Sequence, residues 1–150
     1  MKIYLGTDHA GFELKKQIKE FLIKTGYDVV DCGNQIFDSQ DDYPNFISIV
    51  AENVGKDADS YGIVFGKSGT GECIVANKYR GIRAFLAINE KNVRLAREHN
   101  DANIISFGSE LVTAEKAKKL TELFLKTPFS KETRHIRRIN EIKELEKNQT

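Results

Sequence analysis

The chain is a succession of short apolar runs, each followed by an amphipathic stretch. Residues 3–7 form the first apolar run, which ends at Asp8. From Phe12 onward, apolar residues recur at helical spacing until Gly26 ends the pattern. We predict a strand, a loop and a helix from this order, followed by a second strand over residues 27–30.

The same alternation continues through the rest of the chain. Further strands are predicted at residues 63–65, 82–88 and 104–107. Further helices are predicted from Tyr43 and Pro44 through Val54, over residues 73–78, 90–98 and 116–125, and from about Lys131 to near the C-terminus.

Strands that alternate with helices and read as continuous apolar runs are typical of a parallel sheet covered on both faces. The pattern therefore predicts an α/β fold: a Rossmann-like, doubly wound, five-stranded parallel sheet in three α/β/α layers, with an extended C-terminal helix. No repeat or linker divides the chain, so we expect a single domain over residues 1–150. Ligands of such sheets bind beyond the carboxyl ends of the strands, which directs attention to the loops at 8–9, 66–72 and 107–110.

Composition and charge exclude several classes of protein. Of the 150 residues, 40% are hydrophobic and 30% are charged, which fits a globular protein and not a disordered one. No apolar run approaches the roughly 20 residues that a bilayer requires, and the N-terminus reads as a strand and not as a signal peptide. We therefore expect a cytoplasmic protein that does not bind membranes. The formal net charge of +1 argues against nucleic acid and favours a small anionic partner.

The two cysteines, Cys32 and Cys73, carry no sign of a special role. They form no CxxC pair and have no histidine at metal-ligand spacing, so we expect no metal site. A disulfide framework is not indicated either, and reduced thiols are the simplest interpretation.

A glycine-rich loop at residues 66–72 separates a predicted strand from a predicted helix. Backbone N–H groups of such a loop can converge on an anion, aided by the helix dipole. Gly66 and Gly71 have P-loop spacing, but Glu72 and Cys73 stand where the lysine and the magnesium-binding hydroxyl should be. The loop also follows the third strand and not the first, unlike a dinucleotide site. Both an NTPase and an NAD-binding protein are therefore disfavoured.

Glu72 has two interpretations. Acidic residues are common in the first turn of a helix, where they interact favourably with the helix dipole. Alternatively, a carboxylate beside convergent N–H donors could remove a carbon-bound proton while the donors stabilise the resulting enediolate. That pairing is what sugar isomerisation requires.

The histidines and two arginines of the C-terminal helix are also candidates. His9 ends the first strand and His99 lies near a helix end, so both are placed for proton transfer near neutral pH, although surface or capping roles are the alternative. Arg134 and Arg138 share a helix face and could clamp a phosphate. From spacing alone, a solvated basic helix that pairs with Glu141 is the simpler interpretation.

Several short motifs occur together over nearly the whole chain. They are Gly6-Thr7-Asp8-His9-Ala10-Gly11, Asp42-Tyr43-Pro44, Gly66-x-Ser68-Gly69-x-Gly71-Glu72, Ala76-Asn77-Lys78, Gly81-Ile82-Arg83-Ala84, Arg97-Glu98-His99-Asn100-Asp101-Ala102, Thr127-Pro128-Phe129 and Arg134-His135-x-Arg137-Arg138-Ile139. Jointly they resemble the family of ribose-5-phosphate isomerase B and the galactose-6-phosphate isomerase subunits. That family has one version with a cysteine base at the end of the third strand and another with a glutamate base at the helix start. This chain resembles the second, because Gly66 stands at the cysteine position and Glu72 at the glutamate position, which leaves Cys73 as a packing residue.

The resemblance implies a role for each site residue. Glu72 is expected to be the base and His99 the acid that opens the furanose ring. Asp8 and Asn100 are expected to hold sugar hydroxyls, and His9, Arg134 and Arg138 the phosphate. The other expected substrate-binding residues are Tyr43, Lys67, Ser68, Gly69, Thr70 and Gly71, with the amides from Ser68 to Glu72 holding the enediolate.

The implied activity is the interconversion of ribose 5-phosphate and ribulose 5-phosphate through an enediolate, a step of the pentose phosphate pathway, without metal or cofactor. The implied partners are a phosphorylated sugar and further copies of the chain, in a homodimer or homotetramer with sites between subunits. Two alternatives stay open: an isomerase of a six-carbon sugar phosphate, such as allose or galactose 6-phosphate, and a catalytically silent sugar-phosphate-binding regulator. The chain departs from the family at Glu110, where many members have an arginine that contributes to phosphate binding.

Overall fold

The computed structural model describes residues 1–149, and these form a five-stranded sheet flanked by helices. The strands are β1 (Lys2–Thr7), β2 (Asp28–Asp31), β3 (Ser60–Gly66), β4 (Ala84–Leu86) and β5 (Ile104–Gly108). The helices are α1 (Phe12–Lys24), α2 (Pro44–Lys56), α3 (Thr70–Ala76), α4 (Glu90–Asn100), α5 (Ala114–Lys126) and α6 (Thr133–Lys147), and a 3₁₀ turn (His9–Gly11) precedes α1. All strands run parallel in the order β2-β1-β3-β5-β4. The predicted α/β class, the parallel sheet and the C-terminal helix are confirmed; Thr150 of the predicted domain lies outside the described residues.

The buried strands explain the continuous apolar runs of the sequence. In β1, Ile3 and Leu5 pack against one helical layer, and Tyr4 between them packs against the other. In β3, Phe65 and Val64 divide in the same way. Because side chains alternate between two covered faces, both faces of each central strand must be apolar.

The helices form two layers, one on each face of the sheet. Leu14 of α1, Val93 of α4 and Leu120 of α5 belong to the core on one face of the sheet. Ile47 of α2 and Ala76 of α3 belong to the core on the other face. Helix α6 packs against α4. None of these helices, within residues 1–149, combines the length and apolar character needed to cross a bilayer.

Several predicted boundaries differ from the observed ones; β3, for example, starts at Ser60 and not at residue 63. Helix α3 starts at Thr70 and not at residue 73, because Gly69 adopts the left-handed conformation (φ 76°) that lets the chain turn into the helix earlier. Strand β4 is limited to Ala84–Leu86, since the backbone on either side of Ile82 bonds to the Asn103 side chain and not to a neighbouring strand. Helix α6 starts at Thr133, two residues after the predicted position.

The strand order brings two distant parts of the sequence together. The chain leaves β1 toward β2 on one side and returns to β3 on the other side of β1. The carboxyl ends of β1 and β3 are therefore neighbours, with Thr7 opposite Phe65. A crevice opens at such a switch point, and ligands of α/β proteins bind there.

Candidate active site

A cavity of about 300 Å³ lies at the carboxyl edge of β1 and β3. Its walls are formed by Asp8, His9, Ala10, Tyr43, Lys67, Ser68, Gly71 and Glu72. The first three residues follow β1, Tyr43 directly precedes α2, and the others belong to the glycine loop and the start of α3. Seven of the predicted site residues, including Glu72 and His9, are thus gathered at one place.

Glu72 is a buried carboxyl group at the start of α3. The residue is 3% exposed, and burial raises the pKa of its carboxyl group, with the negative charge of Asp8 adding to the effect. A Cβ atom added to Gly66 would overlap the Glu72 carboxylate. The glycine at the end of β3 therefore leaves the space that the carboxylate occupies, so a cysteine side chain at position 66 and this position of Glu72 exclude one another.

The loop before α3 offers backbone donors beside that carboxylate. The first helical hydrogen bond of α3 runs from the Cys73 N–H to the Gly69 carbonyl at 3.1 Å. The N–H groups of Gly71 and Glu72 therefore lie before the first intrahelical bond, as in any first turn. The Thr70 N–H donates to the Ser68 hydroxyl at 3.3 Å. The arrangement can present N–H groups to an oxyanion next to a carboxylate base.

Tyr43 and Gly71 are packed against each other in the cavity wall. A Cβ atom on Gly71 would lie 2.7 Å from the phenol oxygen of Tyr43. Only glycine allows the tyrosine to approach the loop this closely, and Tyr43 thereby closes one side of the cavity.

The two residues after β1 have different roles in the local structure. The Asp8 carboxylate accepts from the Ala10 N–H at 3.0 Å and caps the 3₁₀ turn. His9 contacts Asp41, whose Oδ1 lies 2.7 Å from the ring Nδ1 and 2.9 Å from the backbone nitrogen of His9. This hydrogen bond raises the pKa of His9, and the charge of Asp8 reinforces the effect.

Sequence reasoning missed Asp41 and its neighbour Asn34. Both lie in a polar segment that reads as a plain connection between β2 and α2. Asn34 Nδ2 donates to Asp41 Oδ2 at 2.6 Å, so the segment is ordered around the histidine. The high density of aspartates at residues 38–42, shortly after the end of a strand, was the available signal.

The remaining predicted residues lie elsewhere in the chain. His99 and Asn100 end α4, which leads into the amino end of β5, whereas Glu72 lies beside Gly66 and Gly108 at the carboxyl ends of β3 and β5. Four residue steps of β5 alone separate these edges by about 13 Å. A single chain therefore does not bring His99 to Glu72.

His99 is in contact with α6. Its ring lies over that of His135, with centroids 4.2 Å apart, and His135 is 2% exposed. Burial lowers the pKa of His135, and a charge on His99 lowers it further. The exposed Arg134 and Arg138 flank His135 on the same helix. A second group of predicted residues thus lies toward the amino ends of the strands and consists of His99, Asn100, Arg134 and Arg138.

The structure also shows the surroundings of Glu110 and of Cys73. Lys67 Nζ lies 3.7 Å from Glu110 Oε1, with 71% and 66% of the two side chains exposed, so the unexpected Glu110 faces the lysine of the glycine loop. Cys73 is half-buried, and burial raises the pKa of its thiol, which disfavours the reactive thiolate.

Comparison with known proteins gives a consistent result. The family model described as Ribose/Galactose Isomerase matches residues 3–142. Ribose-5-phosphate isomerase B of Mycolicibacterium paratuberculosis is 46% identical over 147 residues, which cover 98% of this chain and 92% of the relative. The Escherichia coli protein of the same name is 37% identical, with 97% and 96% covered. A crystal structure of ribose-5-phosphate isomerase B from Mycoplasma genitalium with bound ribulose-5-phosphate superimposes with a TM-score of 0.94 at 41% identity, covering 99% of this chain and 97% of that one.

Proposed function

The chain belongs to the ribose/galactose isomerase family, and we propose that Glu72 is the base with which it interconverts ribose 5-phosphate and ribulose 5-phosphate. The chain is an aldose–ketose isomerase, an activity that belongs to the pentose phosphate pathway. The observation that carries the role of Glu72 is its buried carboxylate in the space left by Gly66, next to the N–H groups that begin α3.

The reaction divides into ring opening and proton transfer. His99 donates a proton to the ring oxygen of ribose 5-phosphate, and the C1 hydroxyl loses its proton as the aldehyde forms. Glu72 then removes the C2 proton, and the electron pair of the C–H bond moves into a C1–C2 double bond, which leaves an enediolate. The N–H groups from Ser68 to Glu72 stabilise the oxyanion. Return of the proton to C1, together with transfer of the O2 hydroxyl proton to O1, gives the ketose, so no oxidant or reductant is consumed.

Burial of Glu72 makes its carboxylate a stronger base. Since burial disfavours the charged form, the carboxylate gains more by taking up a proton than it would in water. General base catalysis of this kind typically contributes about 10²–10⁴-fold to a rate.

The distribution of the site residues supports a site shared between two copies of the chain. The carboxyl ends of the strands carry Glu72, Asp8 and His9. The opposite, amino ends carry His99 and Asn100. In a symmetric dimer, the second group of one copy can complete the first group of its partner.

The phosphate is held by His9 together with Arg134 and Arg138 from the partner copy. Arginine forks bind phosphate with two hydrogen bonds each, and the two arginines are one helical turn apart. Because a phosphorylated sugar does not cross a bilayer unaided, we place the enzyme in the cytoplasm with its substrate.

The test is a parallel assay of the purified protein, in the presence of EDTA, with ribose 5-phosphate, ribulose 5-phosphate, allose 6-phosphate and galactose 6-phosphate. We expect turnover of the five-carbon pair. Turnover of only six-carbon sugars would replace the proposed substrate, and tight binding without any turnover would make the chain a regulator.

A further inference from the structure

The ring of His9 is held by a carboxylate from a segment 32 residues away. Asp41 Oδ1 accepts from the His9 backbone N–H at 2.9 Å and from the ring at Nδ1 at 2.7 Å. The Asp41 side chain is only 7% exposed. An ionised carboxylate can only accept hydrogen bonds, so Nδ1 carries a proton. The other ring nitrogen, Nε2, is then the atom left for a ligand.

Asp41 is itself held in place. Its second oxygen, Oδ2, accepts from Asn34 Nδ2 at 2.6 Å. The backbone of Asn34 is fixed at both polar groups, since its N–H donates to the Thr7 carbonyl at 2.8 Å and its carbonyl accepts from Lys15 Nζ at 2.6 Å. Both oxygens of Asp41 are therefore used within the protein.

The anchor of this segment is a buried ion pair. Lys15 is 3% exposed and also donates to Asp31 Oδ1 at 2.6 Å, while the Gly33 N–H donates to the same oxygen at 2.9 Å. The chain of contacts runs from α1 through the end of β2 to His9. A side chain held by such a series of hydrogen bonds has lost most of its rotamer freedom before a ligand arrives.

We propose that Asp41 is a positioning residue for phosphate recognition: it fixes the His9 ring through Nδ1 and the backbone N–H, so that Nε2 faces the phosphate of the sugar. The proposal rests on the phosphate-binding role of His9 proposed above. A charged imidazolium donates a stronger hydrogen bond to an anion than a neutral ring does. The acidic groups around His9 act in the same direction, because Asp8, Asp38 and Asp41 all favour its protonated form.

The test compares Asp41→Asn with Asp38→Asn. Asparagine at position 41 keeps the shape and the acceptor oxygen but removes the charge. Asp38 lies in the same segment and loses the same charge, but its Oδ1 accepts from the Gln40 N–H at 2.9 Å and not from His9. The measurements are kcat and KM for ribose 5-phosphate, and the inhibition constant of inorganic phosphate.

We expect Asp41→Asn to raise KM and the phosphate inhibition constant together by about tenfold, the scale of one charge-assisted hydrogen bond, with kcat within about twofold. Asp38→Asn should change both constants by less than about twofold, and Asp41→Glu, which restores the charge, should recover part of the loss. A fall in kcat at constant KM, or equal effects of Asp41→Asn and Asp38→Asn, would overturn the positioning role.

His9→Gln separates this proposal from the one on which it rests. If His9→Gln leaves phosphate inhibition unchanged, His9 does not bind phosphate and the role proposed for His9 fails. If His9→Gln weakens phosphate inhibition and Asp41→Asn does not, only the role of Asp41 fails. If Asp41→Asn proves unstable, Asn34→Ala tests the same point, because it frees Asp41 Oδ2 and should raise KM in the same direction.

Discussion

Glu72 is the base of the proposed mechanism. We predict that Glu72→Gln folds normally but loses isomerisation, with kcat lower by about 10²–10⁴-fold, because an amide cannot act as a base. The measurement is loss of the C2 proton of ribose 5-phosphate to solvent, followed by NMR in D2O. Cys73→Ser is the matched control and should keep activity, since the thiol is half-buried and its pKa is raised by burial. A comparable loss in the cysteine variant would move the base to Cys73.

Gly66 leaves the space that the Glu72 carboxylate occupies. A Cβ atom at this position would overlap the Glu72 carboxylate, which is the end of a flexible side chain and can move aside. We therefore predict that Gly66→Ala keeps the fold but lowers kcat on the order of a hundredfold, because the base is displaced. Kinetics and thermal unfolding are measured together, with Gly55→Ala in α2 as the control. A normal kcat in Gly66→Ala would show that catalysis does not require the Glu72 carboxylate to occupy the space beside Gly66.

Glu110 and Lys67 form an exposed pair near the cavity. Because both side chains are mostly exposed, the pair contributes at most about 1 kcal/mol. We predict that Glu110→Arg lowers KM for ribose 5-phosphate by an amount worth about 1 kcal/mol or more, and that Lys67→Ala raises it. Glu115→Arg on α5 makes the same change of net charge away from the loop and should have no effect. Unchanged KM in both site variants would show that Glu110 has no influence on the phosphate.

At the scale of elements, the two histidine environments should be separable by pH. Asp41 raises the pKa of His9 above its ordinary value near 6.5, whereas burial lowers the pKa of His135 between α4 and α6. In an NMR titration of the ring protons, we predict that His9 titrates above and His135 below the value of a free histidine. Asp41→Asn should lower the His9 midpoint and leave that of His135 unchanged. A titration midpoint of His9 below that of His135 would contradict the surroundings described for both histidines.

These shifts have opposite consequences for stability. The folded form binds the His9 proton more tightly, so this contribution is present below pH about 6.5 and is lost as pH rises through the folded pKa. His135 binds its proton less tightly when folded, so its contribution is present above pH about 6.5 and is lost as pH falls. The contributions of His9 and His135 to the pH dependence of the free energy of unfolding have opposite signs and partly cancel. His135→Phe should therefore make the protein less sensitive to mild acid, measured as the melting temperature between pH 7.5 and 5.

For the whole molecule, the separation of Glu72 from His99 leads to a test by hybrid dimers. Glu72→Gln and His99→Asn subunits are mixed in equal amounts, dissociated and reassociated. Half of the dimers are then hybrids, and each hybrid has one site with an intact Glu72 and an intact His99. We predict recovery of about a quarter of the wild-type activity on ribose 5-phosphate from two nearly inactive proteins. No recovery after demonstrated exchange of subunits would place both residues of each site in one chain.

Local pattern in the sequence was enough for the fold class and for a prediction of much of the proposed site. The period of apolar positions identifies β1, α1 and the other elements because burial repeats every two residues in strands and every 3.6 in helices. The motif from Gly66 to Glu72 predicts the proposed base and its donors for a similar local reason: they are neighbours in the chain. Predicted and observed boundaries differ where side chains replace the regular backbone bonds, as Asn103 does beside β4.

Tertiary structure decided what depends on contacts between distant residues. The order β2-β1-β3-β5-β4 brings Asp8 and His9 to Glu72, although more than 60 residues lie between them. The same order leaves His99 at the opposite edge, which no spacing along the chain reveals. Asp41 meets His9 in a segment whose Asn34 backbone pairs with Thr7. Such pairings follow from nonlocal packing and hydrogen bonding, whereas periodicity records only whether a residue is buried.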